Sequence, residues 1–189
     1  MQAGQSLMVC EATIRDDRLG GIPKPDFTHK GPTRVVIGPQ DQCFAKNVLE
    51  RFVSDEFRVT DAYDRMGMRL SGPELALDGA LSIPSEPIVR GSVQVSGDGV
   101  PTVLLADHQT TGGYPKITTV ISCDTDDLVQ FRAGQTLQFS PISPQQAVHE
   151  ARRYLVQKTQ YLEQISVARG SLEQRLMREN LIHGCVYDE

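Results

Sequence analysis

Cysteine is scarce and scattered in this chain of 189 residues: Cys10, Cys43, Cys123 and Cys185 form no Cys-x-x-Cys pair and no Cys/His metal spacing. A disulfide-stapled scaffold is excluded, the thiols read as isolated and reduced, and no metal is expected. There is no apolar run of the roughly 18 residues a membrane span needs, and no basic region followed by an apolar one at the N-terminus. No membrane partner or signal peptide is therefore expected, and the expected location is cytoplasmic. Basic runs are missing too, and the net charge of −5 with a pI near 5.4 argues against nucleic acid, whose phosphates need a clustered basic face. Neither a P-loop nor a biotin-attachment Met-Lys-Met occurs, so no cofactor is expected on this chain, and ATP or carboxybiotin chemistry would fall to partners.

What is present is ordinary core material, 39% hydrophobic residues with 16 glycines, enough for one domain and an appendage. Residues 103–121 carry most of the functional information. Two apolar, β-branched runs read as strands, and Thr110-Thr111-Gly112-Gly113 between them reads as a sharp reversal. That reading puts Asp107 and Lys116 at the mouths of adjoining strands, with Gln109, Thr110 and Tyr114 close by and Gly112 and Gly113 as the structural turn. A solvated loop with a surface ion pair has the same composition, so spacing leaves both readings open.

The rest of the chain supplies the frame. Residues 14–32 have the glycine and proline content of a linker. Thr33 to Ile37 reads as a strand, and Phe44, Val48 and Phe52 fall on one face of a short helix over residues 44–53 that Asp41 is placed to cap. Gly67 sits at a bend between Arg65 and Arg69. Prolines make residues 72–87 an irregular crossing, and Gly97-Asp98-Gly99 is a hairpin turn that places Gln94 one strand from Asp107. A second short helix is expected over residues 124–131, capped by Asp124. Many short strands with two short helices imply a closed or nearly closed β-barrel. Ser143-Pro144-Gln145-Gln146 is a capping box that opens a helix to about Ala168, with Val148, Ala151, Leu155, Leu162 and Ile165 as an apolar stripe expected to pack on the barrel. A second capping box at Ser171 points to another helix toward Leu181.

Ala3-Gly4-Gln5-Ser6-Leu7 is echoed by Ala133-Gly134-Gln135-Thr136-Leu137. The later copy ends the β domain, so the earlier one reads as the closing strand of a preceding unit, or as a chance likeness of two loop-to-strand junctions. The expected organisation is residues 1–32 as closing strand and linker, 33–141 as the barrel domain, and 142–189 as a helical extension.

The stretch Leu105-Ala106-Asp107-His108-Gln109-Thr110-Thr111-Gly112-Gly113-Tyr114-Pro115-Lys116-Ile117 resembles the signature of the allophanate hydrolase subunit 2 family. That family includes one of the subunits of prokaryotic 5-oxoprolinase, the carboxyltransferase domain of urea carboxylase and urea amidolyase, and an antagonist of a sporulation-kinase inhibitor. Val36-Ile37-Gly38-Pro39-Gln40-Asp41, Asp64-Arg65-Met66-Gly67-Met68-Arg69-Leu70 and Gly91-Ser92-Val93-Gln94-Val95 resemble it in the expected order.

The resemblance implies a mainly β protein, a cyclophilin-like antiparallel β-barrel with short helices and a C-terminal helical extension, aligned with the second half of the usual family length. It implies two partners, a subunit 1-like protein or domain and the missing N-terminal half of the family domain. It also implies a small amide or lactam substrate, processed in an ATP-dependent complex or by transfer from carboxybiotin. Regulatory capture of a partner protein is the non-enzymatic alternative. For either chemistry Lys116 is the candidate cation for developing negative charge, and Asp107 the group that orients an N–H or accepts a proton. Gln109, Thr110, Tyr114, Arg65 and Gln94 are the candidate substrate-binding residues. His108 and Asp64 stand where many relatives are expected to carry arginine and asparagine.

Overall fold

The computed structural model describes residues 2, 4–6, 8, 21–27, 29–79 and 82–166. The first Ala-Gly-Gln copy lies largely, and the Ser171 helix wholly, outside them. Asp26–Lys158 forms one compact unit, and Met1–Pro25 with Thr159–Glu189 a second. Within the second, the Tyr161 hydroxyl donates to the Pro23 carbonyl at 2.7 Å.

β-branched and aromatic residues that alternate with polar ones build the main sheet. Its strands are β1 (Thr33–Ile37), β2 (Phe57–Tyr63), β3 (Gly67–Ser71), β5 (Ser92–Val95), β6 (Pro101–Leu104), β8 (Lys116–Val120), β9 (Thr136–Leu137) and β10 (Phe139–Pro141). They lie in the order β10-β1-β8-β5-β6-β3-β2-β9, and β4 (Glu86–Pro87) with β7 (Thr111–Gly112) makes a separate small sheet. Strands β9 and β10 are separated in sequence only by Gln138; β9 pairs with β2 while β10 pairs with β1. One run of chain thus joins both edges of the main sheet, and the barrel that composition and resemblance implied is nearly closed, leaving only the short edges of β9 and β10. Pairing in it is antiparallel except between β1 and β10.

The core lies inside this barrel. Phe52 from α1 (Lys46–Ser54) stacks on Phe139 with ring centroids 4.5 Å apart, and Phe57 leans on both at 5.5 and 5.7 Å. Met68, Leu70, Val93, Val95, Val103 and Ile117 complete its centre. Each fully buried phenylalanine contributes about 2 kcal/mol of apolar burial.

The helices depart from expectation in detail. Helix α1 begins at Lys46 after Ala45, which gives no side-chain cap, and Asp41 sits in a separate 3-10 turn, Asp41–Cys43. Helix α2 spans Ser122–Leu128 with Ile121 at its cap position. Asp124 lies within its first turn instead of capping it, and the Arg34 guanidinium binds its carboxylate (Nε to Oδ2, 3.0 Å).

Helix α3 (Pro144–Ile165) opens on the anticipated box: Gln146 N–H donates to Ser143 Oγ at 3.2 Å and Ser143 N–H to Gln146 Oε1 at 2.9 Å. Its apolar stripe, expected to pack on the barrel, is not buried. No residue of α3 is buried, and Val148 and Leu162 are half exposed. Its first turns are held instead by charge, Arg34 Nη1 to Glu150 Oε2 at 2.7 Å, and by the edge of the Phe27 ring against Tyr154. Among the described residues no helix is long and apolar enough to cross a membrane.

Candidate functional site

Two loops bring a set of amide and charged groups together on the outer face of the barrel. Gln94 lies between the core residues Val93 and Val95, so strand alternation turns its side chain away from the core. Lys116 is its Cα partner across β5 and β8. At the end of β1 the chain passes Gly38, whose φ of 95° suits glycine, and continues alongside β8. There Gln40 N–H donates to the Lys116 carbonyl and Lys116 N–H donates to Gln40 Oε1, each at 3.1 Å. Gln40 is fastened by backbone and side chain to the residue it serves.

The roof of this cluster is the small β4–β7 sheet, in which Glu86 pairs with Gly112. Ile83 N–H to the Gly113 carbonyl at 2.8 Å and Ile88 N–H to the Thr110 carbonyl at 3.1 Å extend the join. Glu86 is thereby held over Lys116. Lys116 Nζ donates to Glu86 Oε2 at 3.3 Å and to the Pro87 carbonyl at 3.4 Å, and Gln40 Nε2 donates to the same Glu86 oxygen at 2.5 Å. The lysine is 3% exposed and Glu86 47%. A buried ammonium is costly without compensating acceptors, and the roof provides them.

Gly112 allows the roof to sit this low. A Cβ there would come within 2.6 Å of Gln94 Nε2, and that amide donates to the Tyr114 carbonyl at 3.4 Å. The Tyr114 ring is half exposed, and Gln109 and Thr110 lie at the surface.

Asp107 belongs to a different cluster. Arg65 grips it bidentately, Nε to Oδ2 at 2.6 Å and Nη2 to Oδ1 at 2.9 Å, while Asp107 N–H donates to the Arg65 carbonyl at 2.9 Å. The Arg65 hydrogen bond and charge hold the Asp107 carboxyl below the usual carboxylate range, against a smaller opposing effect of desolvation. This favours an ionised hydrogen-bond acceptor over a proton acceptor. Arg65 is positioned by Asp64, whose Oδ1 accepts from Met66 N–H at 2.7 Å and Gly67 N–H at 3.1 Å to shape the β2–β3 turn. His108 turns its Nδ1 to the Gln109 carbonyl at 2.5 Å.

The expected reversal between adjoining strands is corrected here. Strand β5 lies between β6 and β8, and Thr111–Gly112 pairs with β4. The chain from Asp107 to Lys116 crosses over a strand, spanning two strand spacings of about 10 Å in all. Lys116, Gln94, Gly112 and the Tyr114 backbone are therefore assembled together, Asp107 is joined to Arg65, and the two charged candidates each have their own partner.

Glu86 and Gln40 were not singled out from sequence. Gln40 lies in one of the family-like stretches, which was a usable signal, whereas Glu86 sits in the proline-rich crossing and nothing local marks it.

Comparison with known proteins agrees with this frame. The family model for the carboxyltransferase domain, subdomain A and B, matches residues 1–141. A 5-oxoprolinase subunit of Haemophilus influenzae is 36% identical over 165 residues, 87% of this chain and 51% of that protein. Its Escherichia coli counterpart is 33% identical over 127 residues, 66% of this chain and 41% of that protein. This chain thus spans about half the length of the curated relatives it matches. The urea carboxylase structure from Kluyveromyces lactis superposes with a TM-score of 0.64 at 22% identity, covering 73% of this chain and 13% of that one, a likeness of fold. With the family model spanning the whole barrel and both clusters, the chain belongs to the carboxyltransferase domain, subdomain A and B, family.

Proposed function

We propose that this chain is the amide-handling part of a 5-oxoprolinase-type complex, acting with a subunit 1-like partner in ATP-dependent opening of a lactam ring. The observation that carries the reading is the buried Lys116 ammonium, held by Glu86 and the Pro87 carbonyl, with Gln40 bonded to both the Lys116 backbone and Glu86. In ring opening, water adds to the lactam carbonyl carbon, the C–N bond breaks and the nitrogen leaves as an amine with the proton. Negative charge builds on the amide oxygen, and a desolvated ammonium aimed at that oxygen stabilises it far more than it would in water.

Asp107, kept ionised by Arg65 in its own cluster, is a fixed hydrogen-bond acceptor on the same face for a donor other than the lactam N–H. Tyr114, Gln109 and Thr110 furnish hydrogen bonds from the loop. ATP supplies the driving force and is assigned to the accompanying subunits, as carboxybiotin would be in a urea-carboxylase-like complex.

The test is turnover by this protein with the N-terminal half of the family domain and its subunit 1 homologue. ATP-dependent hydrolysis of 5-oxoproline is expected, with urea carboxylation assayed in parallel. Urea carboxylation without lactam opening would replace the reading, and inactivity in both assays would remove it.

A further inference from the structure

The roof over Lys116 is incompletely satisfied in a specific way. An ammonium has three donors, and Lys116 Nζ uses two of them, both at the long end of hydrogen-bond range, 3.3 Å to Glu86 Oε2 and 3.4 Å to the Pro87 carbonyl. Glu86 accepts both of its bonds on Oε2, from Lys116 and Gln40, and its Oε1 has no partner among the described residues. A spare cationic donor and a spare anionic acceptor thus lie side by side. Gln40 fixes the acceptor from below, and the β4–β7 pairing fixes it from above.

We infer that Glu86 and Lys116 together form a cis-amide recognition pair, and that Glu86 is a specificity-determining residue of this site. The inference rests on the amide-handling reading above. A lactam or a urea presents its N–H and C=O on the same edge, side by side. Its oxygen accepts from Lys116 while its N–H donates to Glu86. An open-chain secondary amide is trans and points the two groups in opposite directions, so it reaches one partner and leaves the other unmatched. A free carboxylate has two acceptors and no donor, and it meets the resident Glu86 charge as a repulsion. The long Lys116 bonds are the ones exchanged on binding, and the half-exposed Glu86 is the side through which the ligand enters.

The experiment measures binding and turnover separately, in the complex of this protein with its N-terminal half and subunit 1 homologue. Binding of 2-pyrrolidinone, N-methylacetamide and acetate is followed by NMR line broadening or calorimetry in wild type, Glu86→Ala and Glu86→Met. In wild type the lactam is expected to bind more tightly than the other two. Both variants are expected to weaken lactam binding about tenfold or more, the scale of losing a hydrogen bond to a charged group, and to leave the trans amide unchanged. Thermal melting checks that the barrel is intact, and Glu86→Met, which keeps the stem, is used if Glu86→Ala melts early.

Unchanged lactam affinity in the folded variants overturns the pair, as does acetate binding more tightly than the lactam in wild type. Normal lactam turnover by wild type together with undiminished kcat/KM in the Glu86 variants overturns this inference and leaves the proposed function standing. Absence of any amide turnover removes the proposed function, and the binding series still decides the pair.

Discussion

Gln94 and Lys116 are paired across β5 and β8, yet their side chains serve different neighbours: the Gln94 amide donates to the Tyr114 carbonyl and the Lys116 ammonium to Glu86. What keeps them apart and ordered is the roof above them, which rests on Gly112. A methyl group there would press on Gln94 Nε2 at 2.6 Å. Gly112→Ala is expected to displace the Gln94 amide and lift β7, lowering turnover of the complex about tenfold or more while the melting temperature changes little. Circular dichroism melting beside the activity assay checks this; wild-type turnover would show that the roof does not set the site.

Lys116→Met keeps most of the side-chain stem and removes the charge. Turnover in the complex is expected to fall about 100-fold or more, the scale of losing one electrostatic stabiliser, with the fold retained because the buried stem is replaced by one of like size. A variant that keeps near-normal kcat in every family reaction would exclude Lys116 from the chemistry.

Asp107→Asn keeps the shape of the Arg65 contact and removes its charge. A fall of about 100-fold in turnover is expected if the carboxylate serves the reaction as a charged hydrogen-bond acceptor. Arg65→Met tests the cause of the lowered Asp107 pKa: the carboxyl should return upward toward the ordinary aspartate range, as followed by NMR titration. Because that pKa is depressed in the fold, the Arg65–Asp107 contribution to stability is present above the unfolded carboxyl's pKa and lost as pH falls through the folded one.

Asp127 behaves in the opposite sense. Burial pushes its carboxyl up, Asp124 and Asp126 add to the rise, and His29 opposes it; Oδ2 is buried without a hydrogen-bond partner among the described residues. A carboxyl raised in the fold contributes stability that is present below its unfolded pKa and lost as pH rises through the folded value. Asp127→Asn is therefore expected to raise the melting temperature at pH 7 by about 2 °C, with the gain vanishing near pH 3. An equal gain at both pH values would assign the effect to something other than ionisation.

Arg34 ties β1, α2 and α3 together through Asp124, 3% exposed, and Glu150, 19% exposed. Arg34→Met leaves the Asp124 carboxylate buried without its cation and is expected to cost about 3 kcal/mol in urea unfolding. Glu150→Gln, at the more exposed end, should cost about 1 kcal/mol or less. Similar losses in the two variants would contradict this ranking.

Local chemistry was enough to locate most of the elements. The Ser143 capping box, the Gly97-Asp98-Gly99 turn and the Thr33–Ile37 strand are short-range effects, decided by neighbours within a few residues, and they formed where the sequence placed them. Helix starts were less legible, since Asp41 and Asp124 are good caps in isolation, but helix α1 begins beyond Asp41 and Arg34, ninety positions from Asp124, claims its carboxylate. The stripe on α3 was readable as a pattern, but a pattern does not say what covers it, and ion pairs hold its first turns instead.

For the site, residue types and family-like stretches pointed to Lys116, Gln94 and the glycine loop. Only tertiary structure decided that β5 would separate β6 from β8, because strand order depends on how the whole barrel closes through Gln138. The same closure brought in Gln40 and Glu86, each distant in sequence from Lys116, and gave Asp107 to Arg65. Sequence therefore determined which groups were available, through propensity, alternation and turn chemistry acting locally. Their pairing came from the register of non-local strands, where a shift of one residue would turn every side chain to the opposite face.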